Sequence, residues 1–577
     1  MRGVKQTFGD RLPDFSIVLG LTVVNLIPWI PFIQKGVSGT LISYPSFGQD
    51  QMHYVARAFS IWKGKQPSEA FVPKGTKLAD GLGNYAELAL LIPSKFPVFD
   101  NLNFASYFYI LVCFSSLFAL ASSYFFFKFL TNSRSDACVI TMVFVYFSQS
   151  LDLNGINFPT MPIFNRWPTP MLHYLGLFIL LRALIDKGFG YRKVIASFSL
   201  AFGFYLYVYT WQVMIAIIFS ALLINLINRD FREIKELAII LFAGVALGLP
   251  TILGVANLMT ESRSDGLLEF AFRQENSRTV IMDKMGILLA IIALVALTLR
   301  HHISSKVSYL FYLLALTALV VSNQQIVTGK ILQPGHFHWY FIAPAMFSCL
   351  TILLLSLFRN RNLKVALTIS LIFILSFNQL HSFEISRNES QAQSTSALTS
   401  HQVAALRGVV FTQDSAVLDQ LATGYSGDLY WHSFGIYYGG SRHIANEFVA
   451  FTSVWMGDES PIRLKPLGIN CLTFETDPCS TSRMLLGSES EVGWWKYLEN
   501  GSPVEESLYS QGSSLSHELR TAGNNPAEYF TRVIDRRNIQ TIVTGGPLST
   551  NQRILLGNRW TLISKNAKFW IYSRINS

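Results

Sequence analysis

Phe15–Ile33, FSIVLGLTVVNLIPWIPFI, is the first long apolar stretch of the chain, and it decides the class of protein. It is too long for the apolar core of a cleavable signal peptide, and no clear small-x-small cleavage site follows it. A helix needs about 20 apolar residues to cross the hydrocarbon core of a bilayer. We therefore predict a permanent first span and an integral membrane protein.

The composition supports that class. The chain has 577 residues, of which 50% are hydrophobic and only 14% are charged, whereas soluble proteins have about 25% charged residues. The net charge is +10, but no basic run interleaved with aromatic residues accompanies it. In a membrane protein an excess of basic residues first indicates orientation. We therefore expect a largely lipid-facing surface and no nucleic-acid partner.

About eleven segments are long and apolar enough to be predicted as spans when tilt is allowed for. The stretch 194–228 is divided in two because Tyr209-Thr210-Trp211 is a weak turn signal, and because one long helix would break the charge alternation downstream. The predicted spans lie at 14–33, 104–130, 137–151, 170–185, 194–209, 212–228, 237–257, 286–299, 308–322, 340–358 and 365–380.

Every second connection between these segments is short and basic. This is the positive-inside pattern, which assigns the basic connections to the cytoplasmic side. The N-terminus is then cytoplasmic, the C-terminus is extracytoplasmic, and 34–103 is a long first extracytoplasmic loop. We expect the membrane to be a bacterial inner (plasma) membrane. The basic residues are Arg2, Lys5, Arg11, Arg134, Lys187, Arg192, Lys193, Arg229, Arg232, Lys235, Arg300, Lys306, Arg359, Arg361 and Lys364.

The chain changes character after the last predicted span. We predict a transmembrane domain at 1–384 and an extracytoplasmic soluble mixed α/β domain at 385–577, which is large enough to bury its own core. A Ser/Gln/Thr-rich stretch, Asn388–Ser400, predicts a linker, and three alternating runs predict strands. The runs are Ser415–Leu418, Gln540–Val543 and Trp560–Tyr572, the last of which predicts a hairpin turning at Lys565-Asn566.

Two cysteines, Cys471 and Cys479, lie in the polar C-terminal part. Their spacing is not a zinc pattern, and no pair of histidines accompanies them. An extracytoplasmic location permits a disulfide between them. The alternative is two unlinked thiols.

A polar block follows the first span, and its pattern predicts an amphipathic helix from Asp50 to Trp62. Its polar side places a carboxylate beside a cation, as a base that acts next to a lipid phosphate would need. We expect this helix to lie at the membrane surface with that side turned inward. The alternative for Asp50 is a role as N-cap, which Asp favours. The apolar stripe is Met52, Val55, Phe59 and Trp62, and the polar side is Asp50, His53, Tyr54 and Arg57.

The segment Asp50-Gln51-x-x-Tyr54-x-x-x-Ala58 resembles the Asp-Glu-x-x-Tyr segment of GT-C superfamily glycosyltransferases. These are multi-span enzymes that use polyprenyl-phosphate-linked sugars, such as the dolichyl-phosphate-mannose protein mannosyltransferases and the lipid A aminoarabinose transferases. The resemblance covers the whole chain in layout and about ten residues in motif. It departs at Gln51, where the family more usually has an acidic residue.

The resemblance implies an enzyme that transfers a sugar from a polyprenyl-phosphate donor in the membrane to a glycan, lipid or protein acceptor. Asp50 would be the base or a metal-linked carboxylate, and Asp152 would be a second acidic residue. Tyr54, Arg57 and Arg166 would bind the donor and its phosphate. The alternatives are a helix-end turn residue for Asp152 and a headgroup-level position for Arg166. No cofactor is assigned, although a carboxylate site could take Mg²⁺ or Mn²⁺.

The stretch 323–340 is the most polar connection between two late spans. Lys330 offers a phosphate contact. His336 and His338 alternate, so on an extended strand both would face one side. Three interpretations remain open for the histidines, namely a metal site, a substrate or phosphate contact, and an interfacial His-aromatic belt. The mixed charges of 258–285, which include Asp283, predict a solvated surface helix.

Two other classes of protein compete with the enzyme. A transporter usually has ionisable residues or broken helices near the membrane midplane, but the predicted spans have almost no charge at their centres. A non-catalytic scaffold, or a lipid-linked glycan polymerase or ligase of another fold, would instead use the C-terminal domain as its working part.

Overall fold

The structure is a computed structural model, and every structural statement below concerns the residues that it describes. These are 8–38, 44–45, 50–65, 70–71, 102–147, 166–167, 171–261, 278, 280–281, 283–299, 301, 303–328, 334–357, 361–395, 398–431, 442–460, 462–464, 467–469, 514–566 and 568–575.

The described part of 1–395 is almost entirely helical, and each segment predicted as a span overlaps a helix. Short turns of 3₁₀ helix (Ile27–Trp29) and π-helix (Val143–Phe147 and His338–Ile342) adjoin the α-helices. The α-helices are α1 (Phe8–Leu26), α2 (Ile30–Ser38), α3 (Asp50–Trp62), α4 (Phe104–Thr131), α5 (Arg134–Met142), α6 (Met171–Ile185), α7 (Arg192–Leu206), α8 (Val208–Ile227), α9 (Phe231–Glu261), α10 (Lys284–Thr298), α11 (Ser305–Ser322), α12 (Gln325–Thr328), α13 (Pro334–Phe337), α14 (Ala343–Leu357) and α15 (Arg361–Thr395).

Six helical segments of the described chain are long and apolar enough to cross a membrane. Their outward surfaces carry large apolar side chains such as Phe118 and Phe242, which an aqueous solvent would disfavour. The protein is therefore a helical membrane protein with a small C-terminal sheet. The six segments are Leu12–Gly36, Phe104–Thr131, Tyr209–Ile227, Phe231–Leu253, Ser305–Ser322 and His338–Leu357.

The stretch 194–228 forms two helices, as predicted, but the break lies earlier than the predicted turn. Tyr207 separates α7 from α8 and has extended backbone angles, with φ −163° and ψ 144°. Because an extended residue cannot continue the helical hydrogen bonds, α8 starts afresh at Val208. The break places Tyr207 and Tyr209 together at one end of the two helices, with their ring centroids 5.2 Å apart.

Charged side chains from the predicted cytoplasmic connections form an ionic end of the helical bundle. Asp14 accepts hydrogen bonds from the hydroxyl of Tyr124 at 2.7 Å, from Lys128 Nζ at 2.6 Å and from Arg134 Nε at 3.0 Å. Since α1, α4 and α5 each contribute to this cluster, it fixes the first span against its neighbours.

A second cluster joins α7 to α9 at the same end. Arg192 is buried and donates hydrogen bonds to Glu233 and, at 3.1 Å, to Glu236. Lys187 lies 3.0 Å from Asp230 across the neighbouring connections. We call this end the ionic end and define it by Asp14, Lys128, Arg134, Lys187, Arg192, Asp230, Glu233 and Glu236.

The C-terminal part combines short helices with a five-stranded sheet in the order β2-β1-β5-β7-β6. Strand β1 pairs in parallel with β2 and β5, and β7 pairs antiparallel with β5 and β6. A separate hairpin joins β3 and β4. The strands are β1 (Val409–Phe411), β2 (Asp428–Leu429), β3 (Ile462–Leu464), β4 (Leu467–Ile469), β5 (Ile539–Thr544), β6 (Trp560–Lys565) and β7 (Trp570–Arg574).

Six α-helices of the described residues accompany the sheet, and Arg442–Met456 is the longest of them. Its Glu447 is fully buried and accepts hydrogen bonds from Tyr430 at 2.9 Å and from Arg537 at 2.6 Å. The helices are α16 (Ser400–Ala405), α17 (Ser415–Gly424), α18 (Arg442–Met456), α19 (Ser514–Asn524), α20 (Pro526–Arg536) and α21 (Thr550–Leu556).

Two of the three predicted strand runs are confirmed, and one is wrong. Gln540–Val543 lies in β5, and Trp560–Tyr572 forms the β6–β7 hairpin. Ser415–Leu418 instead begins α17, because Asp414 caps the helix by accepting a hydrogen bond from the Val417 backbone at 3.1 Å. A capping Asp favours helix over strand.

The predicted linker Asn388–Ser400 is also helical over most of its length, since α15 continues to Thr395. Its polar residues have partners there. Ser390 donates to the Pro31 carbonyl at 3.2 Å, and the Gln393 amide bonds both the N–H and the carbonyl of Tyr44. These contacts keep the helix packed against the end of the first span.

Candidate functional site

Helix α3 has the predicted bounds, and Tyr54 and Arg57 of its predicted polar side are turned inward. Together with Gln51 they are as deeply buried as the apolar Met52 and Val55. Helix α17 of the C-terminal region packs against α3. The position of α3 at the membrane surface stays a prediction. Lys65, just after α3, adds an ion pair with Asp428 at 2.8 Å. The C-terminal region thus covers the helix that carries the predicted site.

The site lies at the opposite end of α4 from the ionic end. Lys128 is in the last turn of α4, whereas Phe104 and Phe108 are in its first turns. The Phe104 ring lies 5.1 Å from Phe59 of α3, and the Phe108 ring lies 4.9 Å from Trp167. We call this end the aromatic end and define it by Tyr54, Arg166, Tyr207, Tyr209, His336 and Tyr340, whose contacts are given below.

Gln51 joins α3 to the segment that carries Arg166. The Gln51 Nε2 donates to the Trp167 carbonyl at 3.0 Å, and the Trp167 backbone N–H donates to Gln51 Oε1 at 3.1 Å. The indole of Trp167 donates to Ser115 Oγ at 3.0 Å. The predicted first loop and the predicted second extracytoplasmic connection are therefore held together.

Arg166 is buried between two of the predicted loops. Its guanidinium donates a hydrogen bond to the hydroxyl of Tyr340 and lies over the rings of Tyr54, at 5.6 Å, and Tyr340, at 5.3 Å. Arg57 is buried on the same helix as Tyr54. Three of the predicted site residues, Tyr54, Arg57 and Arg166, thus lie in or against α3.

Aromatic side chains from α8 and α13 lie beside Tyr340 and complete the aromatic end. His336 stacks on Tyr209 with ring centroids 4.5 Å apart and meets Tyr340 edge-on at 5.3 Å. Tyr207 lies 6.4 Å from Tyr340. Such rings offer faces that stack on a sugar or cover a cation, and hydroxyls that donate hydrogen bonds.

Burial and the Arg166 charge set the protonation state of His336. Burial, together with the positive charge of Arg166, lowers the pKa of His336 to about 3, so the imidazole is neutral at pH 7. His336 therefore offers a neutral hydrogen-bonding group beside the positive charge of Arg166.

His336 and His338 do not face one side, contrary to the prediction from an extended strand. The segment is helical, because Pro334 suits the first turn of α13 and a π-helical turn follows at His338–Ile342. His338 points to a different partner, and its Nδ1 lies 2.7 Å from Asp283 Oδ2. Asp283 also caps α10 by accepting from the Gly286 N–H at 3.0 Å.

The Asp283 carboxylate is ionised in this setting. Burial alone would raise its pKa, but the hydrogen bonds from His338 and from the Gly286 and Met285 backbone outweigh burial, so the pKa is lowered. The ionised carboxylate fixes the orientation of the His338 ring.

Several predicted residues lie outside the described part of the chain. They are Asp152, Lys330, Cys471 and Cys479, together with the side chain of Asp50, whose backbone begins α3. Within the described residues, no group of three or more His, Cys, Asp or Glu side chains could hold a metal ion.

Sequence reasoning missed Gln51, Tyr207, Tyr209, Tyr340 and Asp283 as site residues. Only Gln51 carried a signal, as the departure from the acidic residue of the motif. The fold and the site together define a helical membrane protein with a buried cationic and aromatic site at one end of its bundle. No protein-family model matches this chain, and no match is found among curated proteins.

Proposed function

We propose that the protein is an integral membrane glycosyltransferase of the GT-C type, which transfers a sugar from a polyprenyl-phosphate donor to a glycan, lipid or protein acceptor. One observation carries the proposal: Arg166 contacts Tyr54 of α3 and Tyr340 of a late connection at the same time. Two segments far apart in sequence thus meet at the guanidinium of a third. A guanidinium is the side chain that best matches phosphate oxygens.

The proposed reaction is a single inverting displacement. Asp50 accepts the proton of the acceptor hydroxyl while the oxygen of that hydroxyl attacks the anomeric carbon of the sugar. The bond from that carbon to the phosphate oxygen breaks, and polyprenyl phosphate leaves with the bonding electrons. Arg166 and Arg57 stabilise the charge that develops on the leaving phosphate. Tyr340 and Tyr54 orient the Arg166 guanidinium from two sides.

The topology belongs to the same proposal. About eleven spans would place the ionic end in the cytoplasm and the aromatic end with the C-terminal domain outside. A lipid-linked donor would then reach Arg166 laterally from the outer leaflet, without need of a cytoplasmic sugar nucleotide. The C-terminal region packs on α3, and we propose that it covers the site on the extracytoplasmic side.

Replacing Asp50 by Asn tests the proposed base. Sugar transfer from a polyprenyl-phosphate donor is measured in proteoliposomes for both proteins. The variant should lose transfer by about 100-fold or more, because general-base catalysis contributes about 10²–10⁴-fold. Asn remains a good helix cap, so undiminished transfer would leave Asp50 with a capping role only.

A further inference from the structure

The contact between Gln51 and Trp167 uses both halves of the amide. The side-chain N–H group donates to the backbone carbonyl and the side-chain oxygen accepts from the backbone N–H, at 3.0 and 3.1 Å. Gln51 is fully buried, with 0% of its surface exposed. A buried polar group without partners costs about 1–3 kcal/mol. This pairing avoids that cost for the N–H and the oxygen of the Gln51 amide and for the N–H and the carbonyl of Trp167.

The pairing requires one donor and one acceptor on the same side chain. A carboxylate only accepts hydrogen bonds, so an ionised Glu at position 51 would face the Trp167 carbonyl oxygen with another acceptor. The acidic residue that the resembling enzymes more usually have here could make the same contact only in its protonated form. The amide of Gln51 makes the contact without any change of protonation.

The docked segment is the one that presents Arg166. Trp167 is held on three sides, by Gln51, by Ser115 and by the ring of Phe108. Tyr54 follows Gln51 by three residues on α3, so the two side chains lie on one face of the helix. Arg166, next to Trp167, lies over that tyrosine ring at 5.6 Å. The position of Trp167 against Gln51 therefore determines where Arg166 lies over Tyr54.

We propose that Gln51 is a positioning residue, which fixes the backbone at Trp167 so that Arg166 meets the donor phosphate. This inference rests on the proposed function for the identity of the anion. The docking itself does not depend on that function. A misplacement of about 1 Å at a reacting group can lower a rate by about 100-fold, so a loosened Arg166 should be visible in catalysis.

The chain offers a matched control in Gln393. Its amide makes the same two-bond pairing with a backbone, donating to the Tyr44 carbonyl at 2.7 Å and accepting from the Tyr44 N–H at 3.3 Å. Gln393→Met therefore removes the same chemical contact at another place. Gln51→Met and Gln51→Glu are compared with it in full-length protein in nanodiscs.

The experiment has two readouts. Hydrogen exchange at the Trp167 amide reports the docking, and equilibrium binding of undecaprenyl phosphate reports the anion site. We expect both Gln51 variants to exchange the Trp167 amide about 10-fold faster or more, as a lost hydrogen bond of about 1.4 kcal/mol implies, and to bind undecaprenyl phosphate about 10-fold more weakly. Gln393→Met should change neither.

Each outcome decides one claim. Unchanged exchange at Trp167 in Gln51→Met would overturn the docking. Faster exchange with unchanged phosphate binding would overturn the positioning role, and so would an equal loss of binding in Gln393→Met. Full binding and full sugar transfer in Gln51→Glu would show that an amide is not needed at position 51. Failure of the wild-type protein to bind undecaprenyl phosphate would instead overturn the proposed function, while the exchange data would still judge the docking.

Discussion

The two ends of the helical bundle each bury an arginine, but with different partners. At the ionic end, Arg192 is held by the carboxylates of Glu233 and Glu236. At the aromatic end, the contacts of Arg166 include a phenol hydroxyl and the faces of two tyrosine rings. Carboxylates neutralise a guanidinium, whereas a phenol hydroxyl and ring faces orient it. The first arrangement suits a fixed joint, and the second suits an anion-binding site.

The largest expected effect is on stability at the ionic end. Arg192→Met should lower the free energy of unfolding by about 3–5 kcal/mol, because it leaves the buried Glu233 without this partner. The measurement is the unfolding midpoint in detergent micelles. The double variant Arg192→Met with Glu233→Leu should recover most of the loss, since an apolar pair can replace a buried ion pair. A loss below about 1 kcal/mol for the single variant would contradict the comparison.

The next effect is on catalysis at the aromatic end. Arg166→Gln should lower kcat/KM for the polyprenyl donor by about 100–1000-fold, as removal of a group that stabilises a developing anion does. Arg166→Lys keeps the charge but loses the planar arrangement of N–H donors, so its kcat/KM should lie between those of the wild type and Arg166→Gln. Stability should change less than in Arg192→Met. If Arg166→Gln destabilised the protein as much as Arg192→Met does and left kcat/KM unchanged, both arginines would be structural.

A smaller effect should separate the hydroxyl of Tyr340 from its ring. Tyr340→Phe keeps the ring beside Arg166 and removes the hydrogen bond, so kcat/KM should fall about 10-fold. Tyr174→Phe is the matched control, because its hydroxyl donates to the Tyr340 carbonyl at 2.9 Å and makes that contact with the backbone alone. Equal losses in the two variants would show that the backbone position matters more than the Arg166 contact.

The smallest effect concerns Asp283, whose ionised form is stabilised by His338. Because its pKa in the folded protein is lowered, its contribution to stability is present above the unfolded pKa of about 3.9 and is lost as pH falls through the folded value. Asp283→Asn keeps a capping group and should lower stability at pH 7 by about 1 kcal/mol. The difference between the two proteins should shrink as pH falls below the unfolded pKa and through the lowered pKa of folded Asp283. A difference that does not change as the folded protein is titrated to acid pH would mean that the charge of Asp283 contributes nothing.

The features that could be predicted from the sequence are those that depend on the local spacing of apolar residues. The bounds of α3, the division of 194–228 and the β6–β7 hairpin follow from apolar spacing and turn residues, and the structure has them. The packing of α17 on α3 was not predicted, because α17 lies more than 350 residues further along the chain. No local pattern reports such a partner.

The candidate site shows the same limit. Arg166 and Tyr54 could each be named from their residue type and place in a loop, but the pairing of Gln51 with Trp167 spans 116 residues. The histidines were misjudged because alternation suggested a strand, whereas Pro334 starts a helical turn. Asp283 was hidden among mixed charges, since its cap and its contact with His338 arise only when α10 and α13 are packed together.

The most direct test of the account is a cryo-EM structure of the wild-type protein in nanodiscs with undecaprenyl phosphate. We predict that the lipid phosphate lies within hydrogen-bonding distance, about 3 Å, of the Arg166 guanidinium, beside the rings of Tyr54 and Tyr340. A phosphate bound at the ionic end, or an Arg166 that keeps its contacts while the lipid binds elsewhere, would contradict it.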